Sequence, residues 1–324
     1  MAKLLAIKCL LILAFALTLA SSKAEFRQWT SADGRTLLAE FVSVSDGNVT
    51  IKRRNDGRSF TLPVDKLSEA DQTWLKENAD KAGIEISAGS NKEVDKSDPL
   101  VKLVTGNWER HESEGLKFRF YGERKLLRAS PGLSNAPTSF PLVIYLHGKN
   151  GDVMTGAKPW SADTFANSKN YRDRRCFIIA PQAPKKDETW SGKNGQSVVK
   201  IAEDLIKSLP IDEKRVYITG YSMGAYGTFH LLGREPKMFA AAVPIAGGGN
   251  PSAARDYKKV PVWVFHGAKD PTVKVEQSQK MVEALKKARA EVKYTEFPDG
   301  DHGIAGQVYN DEEVHKWMFA QKRQ

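Results

Sequence analysis

Residues 216–227 read Val216-Tyr-Ile-Thr-Gly220-Tyr-Ser222-Met-Gly224-Ala-Tyr-Gly227. An apolar run gives way to Gly-x-Ser-x-Gly, and helix-forming residues from Ala225 to Leu232 follow. That context predicts a sharp strand-to-helix turn that pushes the Ser222 hydroxyl out above a sheet. Side chains at 220 and 224 would collide with neighbouring backbone, so the turn requires both glycines. Outward from this turn lie further continuous apolar runs: Leu142 to Leu146, Phe177 to Ala180, Ala240 to Val243 and Val262 to Phe265. Unbroken apolarity means burial on both faces, as in a parallel sheet. Between the runs, Ser197 to Leu209 places Val198, Ile201, Ala202, Leu205 and Leu209 on one helical face, and Val273 to Ala290 reads as a second helix. Strands alternating with helices predict a doubly wound, mostly parallel α/β sheet over residues 101–324.

A serine hydroxyl is a poor nucleophile until a base takes its proton. In this type of turn the partners follow in the order Ser, Asp or Glu, His. His302, in the loop Pro298-Asp-Gly-Asp-His-Gly303 after the run Val292–Phe297, is the expected base. His230 is expected to be packed within its helix, His266 to be structural and His315 to lie on the surface of the last helix. Asp270, in the loop after Phe265-His266-Gly267, is the expected acid that fixes the imidazole tautomer. Asp299 and Asp301 compete, but they lie in the histidine's own loop, where aspartates commonly shape turns. A tetrahedral intermediate needs hydrogen-bond donors. The backbone N–H of Met223 is one. Lys149, after Leu146-His147-Gly148, is the expected second, with Gly148 and Asn150 as alternatives. His147 reads as structural.

Residues 110–324 resemble the phospholipase/carboxylesterase branch of the α/β-hydrolases and the related feruloyl and acetylxylan esterases. The resemblance rests on His147-Gly148, Ala180-Pro181-Gln182, the Ser222 turn, His266-Gly-x-x-Asp270 and Gly300-Asp-His302. It implies hydrolysis of carboxylic esters through Ser222, Asp270 and His302, with no cofactor and no metal. Dienelactone hydrolases share the fold and place cysteine at the turn, so Ser222 argues against that branch. The resemblance puts the loop Pro181–Gln196 beside the acyl pocket, where Trp190 is a candidate substrate contact by stacking on an aromatic acyl group or a sugar. About a dozen residues, 247–259, separate two of the expected strands, too few for a helical lid. A serine peptidase of the same fold and a lipase-like esterase are the rival readings. The propeller or large cap that such peptidases often carry is not apparent.

The first 24 residues belong to another class. Lys3 and Lys8 precede an apolar run from Cys9 to Ala20, and Ser22-Lys23-Ala24 offers small residues at a cleavage site. This predicts a secretory signal peptide, cleaved after Ala24 or alternatively Ala20, and an exported protein. Twelve residues are too few for a membrane anchor, so no stable membrane insertion is expected after processing. Cys176 is then the one remaining cysteine, which rules out an internal disulfide. It reads as a buried strand residue.

Residues 25–80 carry short strand-like runs separated by Asp46-Gly47-Asn48 and Asn55-Asp56-Gly57, then a helix capped by Ser68. With Trp29, Asp33-Gly34-Arg35, Phe41, Phe60, Leu62-Pro63, Leu67-Ser68 and Trp74, the stretch resembles the SH3-like homology domain, whose adaptor members bind short peptides. It is expected to be a structural appendage or a binder of a peptide or polymer. Residues 81–100 read as a flexible linker. The net charge of +10 is concentrated in residues 101–324, with 35 basic against 25 acidic side chains. That favours anionic polymers such as acidic polysaccharide. No nucleic-acid motif is present.

Overall fold

The computed structural model describes residues 26–45, 48–78, 94–127, 139–185 and 189–323. The expected signal peptide, the turn at 46–47, the linker over 81–93 and part of the Trp190 loop lie outside the described residues. The chain divides into two compact units between Ile86 and Ser87.

In the first unit, strands β1 (Phe26–Thr30), β2 (Thr36–Ser45), β3 (Asn48–Arg53) and β4 (Ser59–Pro63) form an antiparallel meander. Asn55-Asp56-Gly57 turns the chain between β3 and β4, with Gly57 at φ +67°. The helix Glu69–Asn78 follows. Ser68 Oγ accepts from Asp71 N–H at 3.3 Å, as the capping pattern predicted. Trp29, Val49, Ile51, Val64, Leu67 and Leu75 make the core. The rings of Trp29, Phe41 and Trp74 pack against one another, and the Arg27 guanidinium covers Trp29 and Trp74 while pairing with Asp71.

The second unit is built on an eight-stranded sheet. Its strands are β5 (Glu109–Ser113), β6 (Leu116–Tyr121), β7 (Phe140–Leu146), β8 (Phe177–Gln182), β9 (Ile211–Tyr221), β10 (Ala241–Ile245), β11 (Val262–Gly267) and β12 (Val292–Phe297). The order is β12-β11-β10-β9-β7-β8-β6-β5. β7 to β12 run parallel, while β6 and β5 add an antiparallel edge. β7 and β10 are buried along their whole length, as their unbroken apolar runs predicted. The helix Gly192–Ser208 turns Val198, Ile201, Ala202 and Leu205 into the core, and Leu209 just beyond it is buried too. Cys176 is buried just before β8, and burial pushes its thiol up from the ordinary value, consistent with a packing role.

Residues 94–100 depart from the expected linker. Asp98 caps a short helix, Pro99–Lys102, by accepting from Leu100 N–H at 2.7 Å. Val101 is buried in the large core, and Val94 and Leu100 pack against it. Three apolar side chains within eight residues outweigh the polar composition that suggested a linker.

Candidate active site

In a parallel sheet, functional groups gather where the strands' carboxyl ends open into loops. Ser222 follows β9, Asp270 follows β11, His302 follows β12 and Lys149 follows β7. The serine's backbone is strained, with φ +56° and ψ −116°. A Cβ on Gly220 would collide with the Gly224 carbonyl, and one on Gly224 with the Leu146 carbonyl. Glycine is therefore what lets β9 turn into the helix Met223–Arg234 this tightly. Met223 opens that helix, where an N–H has no intrahelical acceptor and is free to face a ligand.

The structure brings the three expected side chains into a relay. His302 Nε2 lies 3.0 Å from Ser222 Oγ, and Nδ1 lies 2.6 Å from Asp270 Oδ2. Asp270 Oδ1 accepts from the N–H groups of Thr272 (2.8 Å) and Val273 (2.9 Å). Burial alone would raise the Asp270 carboxyl. The hydrogen bond from His302 and those from Val273 and Thr272 outweigh it, so the net shift is downward and the group stays ionised. Asp299 instead pairs with Lys269, and Asp301 caps the turn after it through Gly303 N–H at 2.7 Å.

Several residues support the site, two of them histidines that the sequence marked as structural. His266, read as structural, is buried with Nε2 2.9 Å from the Val273 carbonyl and 3.3 Å from Asp270 Oδ2. Its Nδ1 meets Ser278 Oγ at 2.7 Å, and that hydroxyl donates to the Gly247 carbonyl at 2.7 Å. His266 thus ties the acid's loop to the segment after β10. The Tyr221 hydroxyl donates to the His302 carbonyl at 2.8 Å and steadies the histidine's loop. Gln182, in the quoted Ala180-Pro181-Gln182 motif, holds the loop after β7 through Val153 N–H and the Gly151 carbonyl. His147 Nε2 accepts from Ala183 N–H at 3.0 Å, so Nδ1 carries the proton and donates to the Gly148 carbonyl.

Three expectations are corrected. Trp190 is 1% exposed, its indole N–H donates to the His147 carbonyl and its ring packs edge-on against His147. It contributes an edge to the larger cleft but has no free face for stacking. His230 is exposed on the cleft's wall, because its helix presents that side to solvent. His315 is buried, against Phe165 and with Nε2 donating to the Tyr309 carbonyl, because the last helix turns Val314, Trp317 and Met318 into the core around it.

Two clefts flank the site and share Lys149. The larger, about 800 Å³, is lined by Ser222, Met223, Tyr226 and Phe229, with Arg234 and His230 also on its wall. The smaller, about 340 Å³, is lined by Tyr145, Tyr221, Trp160 and Gly303. The segment between β10 and β11 carries only a 3-10 turn, Pro251–Arg255, and forms no helical lid, as its length predicted. Among the described residues no His/Cys/Asp/Glu cluster could hold a metal ion, and no helix is long and apolar enough to cross a membrane.

Comparison with known proteins agrees with this architecture. A solved thermostable esterase is 31% identical, with a TM-score of 0.60 over 68% of this chain and 64% of its own. The larger unit has the α/β-hydrolase fold. The sequence model of the Dienelactone hydrolase family matches residues 174–317, a span that holds Ser222, Asp270 and His302. That corrects the expectation drawn from the elbow serine alone: the family's model matches this chain with serine at the turn. A bifunctional acetylxylan esterase/xylanase from Neocallimastix patriciarum is 29% identical over 147 residues, 44% of this chain and 21% of the relative. A dipeptidyl aminopeptidase BIII from Pseudoxanthomonas mexicana is 26% identical over 234 residues, 54% of this chain and 31% of the relative. The chain thus spans between a fifth and a third of the length of these two relatives.

Proposed function

We propose that this protein is an exported serine esterase that hydrolyses short acyl or aromatic esters of carbohydrate through a covalent acyl-enzyme. The observation that carries the chemistry is His302, placed between Ser222 Oγ and Asp270 Oδ2 at hydrogen-bonding distance from both. Ser222 Oγ gives its proton to His302 Nε2 and attacks the ester carbonyl carbon. The carbonyl oxygen gains negative charge and accepts from the N–H groups of Met223 and Lys149. When the intermediate collapses, the leaving alkoxide takes the proton from Nε2. Water then attacks the acyl-enzyme by the same relay and restores the serine. Asp270 keeps the Nδ1 proton in place and stabilises the imidazolium without taking the proton.

The substrate class draws support from the relative named as a bifunctional acetylxylan esterase/xylanase, from a segment between β10 and β11 too short for a helical lid and from the positive charge of residues 101–324. Export rests on the signal-like first 24 residues. The first unit, which we read as SH3-like, is assigned a supporting role in binding peptide or polymer. The dipeptidyl aminopeptidase relative favours a second reading, cleavage of peptide amides by the same groups.

The experiment is kcat/KM for acetylated and feruloylated oligosaccharides, long-chain acyl esters and peptide amides, at one ionic strength. Preference for the carbohydrate esters is expected. Preference for amides would make the peptidase reading correct, and preference for long acyl chains the lipase-like one.

A further inference from the structure

A Ser-His relay gives a site two chemically distinct sides. His302 must protonate the leaving oxygen, so the alcohol lies toward the histidine and the acyl group lies away from it. The two clefts that flank the site divide along this line. The larger takes its lining from Ser222, the helix after it, the segment after β10 and Thr272 and Val273, with nothing from residues 298–306 around the histidine. The smaller is lined by Gly303, Ala305 and Gly306, next to His302, and by Tyr221, which holds the His302 carbonyl. On chemistry alone, the smaller cleft is the alcohol side.

Trp160 stands at that cleft. Of the seven tryptophans it alone is exposed, at 70%. Its neighbours Pro159 and Ser161 are buried, so the backbone on either side is anchored. The loop before it is tied down from β5 and β6. Arg110 donates to the carbonyls of Met154 and Gly156, both at 2.9 Å. Arg119, 1% exposed, donates to Gly156, Ala157 and Trp108 carbonyls. Burying a guanidinium against neutral carbonyls is costly, and here it fixes a surface loop. The indole also lies along Gly306, where an added Cβ would come within 3.0 Å of its ring. Apolar area this large, left in water on a rigid mount beside the chemistry, is suited to a ligand face.

We infer that Trp160 is the platform of a leaving-group subsite that stacks the apolar face of a sugar ring. The inference rests on the esterase reading and specifies which side of the ester is sugar. A pyranose offers a C–H face to the indole and a rim of hydroxyls to polar groups. The cleft supplies such a rim in the exposed Lys149 ammonium, while its glycines at 148, 151, 303 and 306 leave room for a flat ring. Tyr226 and Phe229, by contrast, belong to the acyl side.

Two measurements test this. Trp160→Ala and Trp160→Phe are assayed on acetylated xylo-oligosaccharide, ethyl acetate and methyl ferulate. Trp160→Ala should lower kcat/KM on the oligosaccharide about tenfold, mainly through KM, and spare the two esters of small alcohols. Trp160→Phe should recover most of the loss. Equal loss on all three substrates would make Trp160 merely structural, and loss confined to methyl ferulate would put it on the acyl side; either overturns the subsite. The second measurement does not need turnover. Unesterified xylohexaose is titrated into Ser222→Ala protein while tryptophan fluorescence is followed. A saturable change is expected, and it should vanish in the double variant with Trp160→Ala. No change, or one that survives loss of Trp160, overturns the subsite even if the enzyme is an esterase. Sugar binding without hydrolysis of any ester would instead overturn the esterase reading and keep the subsite.

Discussion

The turn at Ser222 and the loop at 147–160 border the same site but are held in opposite ways. The Ser222 turn is local. Its shape comes from Gly220, Gly224 and the strand and helix on either side, all within residues 211–234. The 147–160 loop is held by residues remote in sequence: Arg110 and Arg119 from the antiparallel edge, Gln182 and Ala183 at the end of β8. The first arrangement positions a reacting atom, and a motif announces it. The second shapes what the atom can reach, and no local pattern marks it.

Substitutions in the two regions should therefore differ in kind. Ser222→Ala is expected to lower ester hydrolysis on the order of 10⁴-fold or more while the thermal transition stays near wild type. A near-normal rate would remove the turn from the mechanism. Asp270→Asn should approach the same loss, because an amide can hold the wrong imidazole tautomer, whereas Asp299→Asn and Asp301→Asn should be mild. A larger effect at Asp301 would move the acid into the histidine's own loop.

His266→Asn sharpens the contrast from the acid's side of the site. Loss of its hydrogen bond to the Val273 carbonyl, which holds the loop that positions Asp270, should cost about tenfold in kcat. KM should be spared, since His266 reaches neither cleft. A change in KM alone would mean that it shapes binding instead. The smallest expected effect is on stability in acid. The native Asp270 carboxyl lies below its ordinary value, so the ionised form contributes stability that is full above about pH 4 and is lost as pH falls through the lowered native value. The stability difference between wild type and Asp270→Asn, read from urea unfolding, should therefore shrink as pH falls through that window. A difference independent of pH would mean that the carboxylate's charge contributes nothing.

What the sequence disclosed follows the same division. Continuous apolar runs revealed the parallel strands, because burial on both faces leaves no polar alternation. The glycine spacing revealed the turn, and chain order pointed to Asp270 and His302. His315 was misread because one histidine in a charged helix looks solvated, yet Val314, Trp317 and Met318 carry that face inward. Trp190 and Trp160 were beyond local reading. Both are tryptophans in loops, and only the fold shows that His147 covers one while the other stands in solvent. The polar composition of residues 94–100 concealed two apolar anchors, Val94 and Leu100, in the same way.

The central claim is that Ser222 is the nucleophile of a relay through His302 to Asp270. Its most direct test is mass spectrometry of protein treated with a fluorophosphonate probe. One adduct is expected, on the peptide containing Ser222, forming slowly in Asp270→Asn and not at all in Ser222→Ala. An adduct on another residue, or undiminished labelling of the Ser222→Ala protein, would contradict the account.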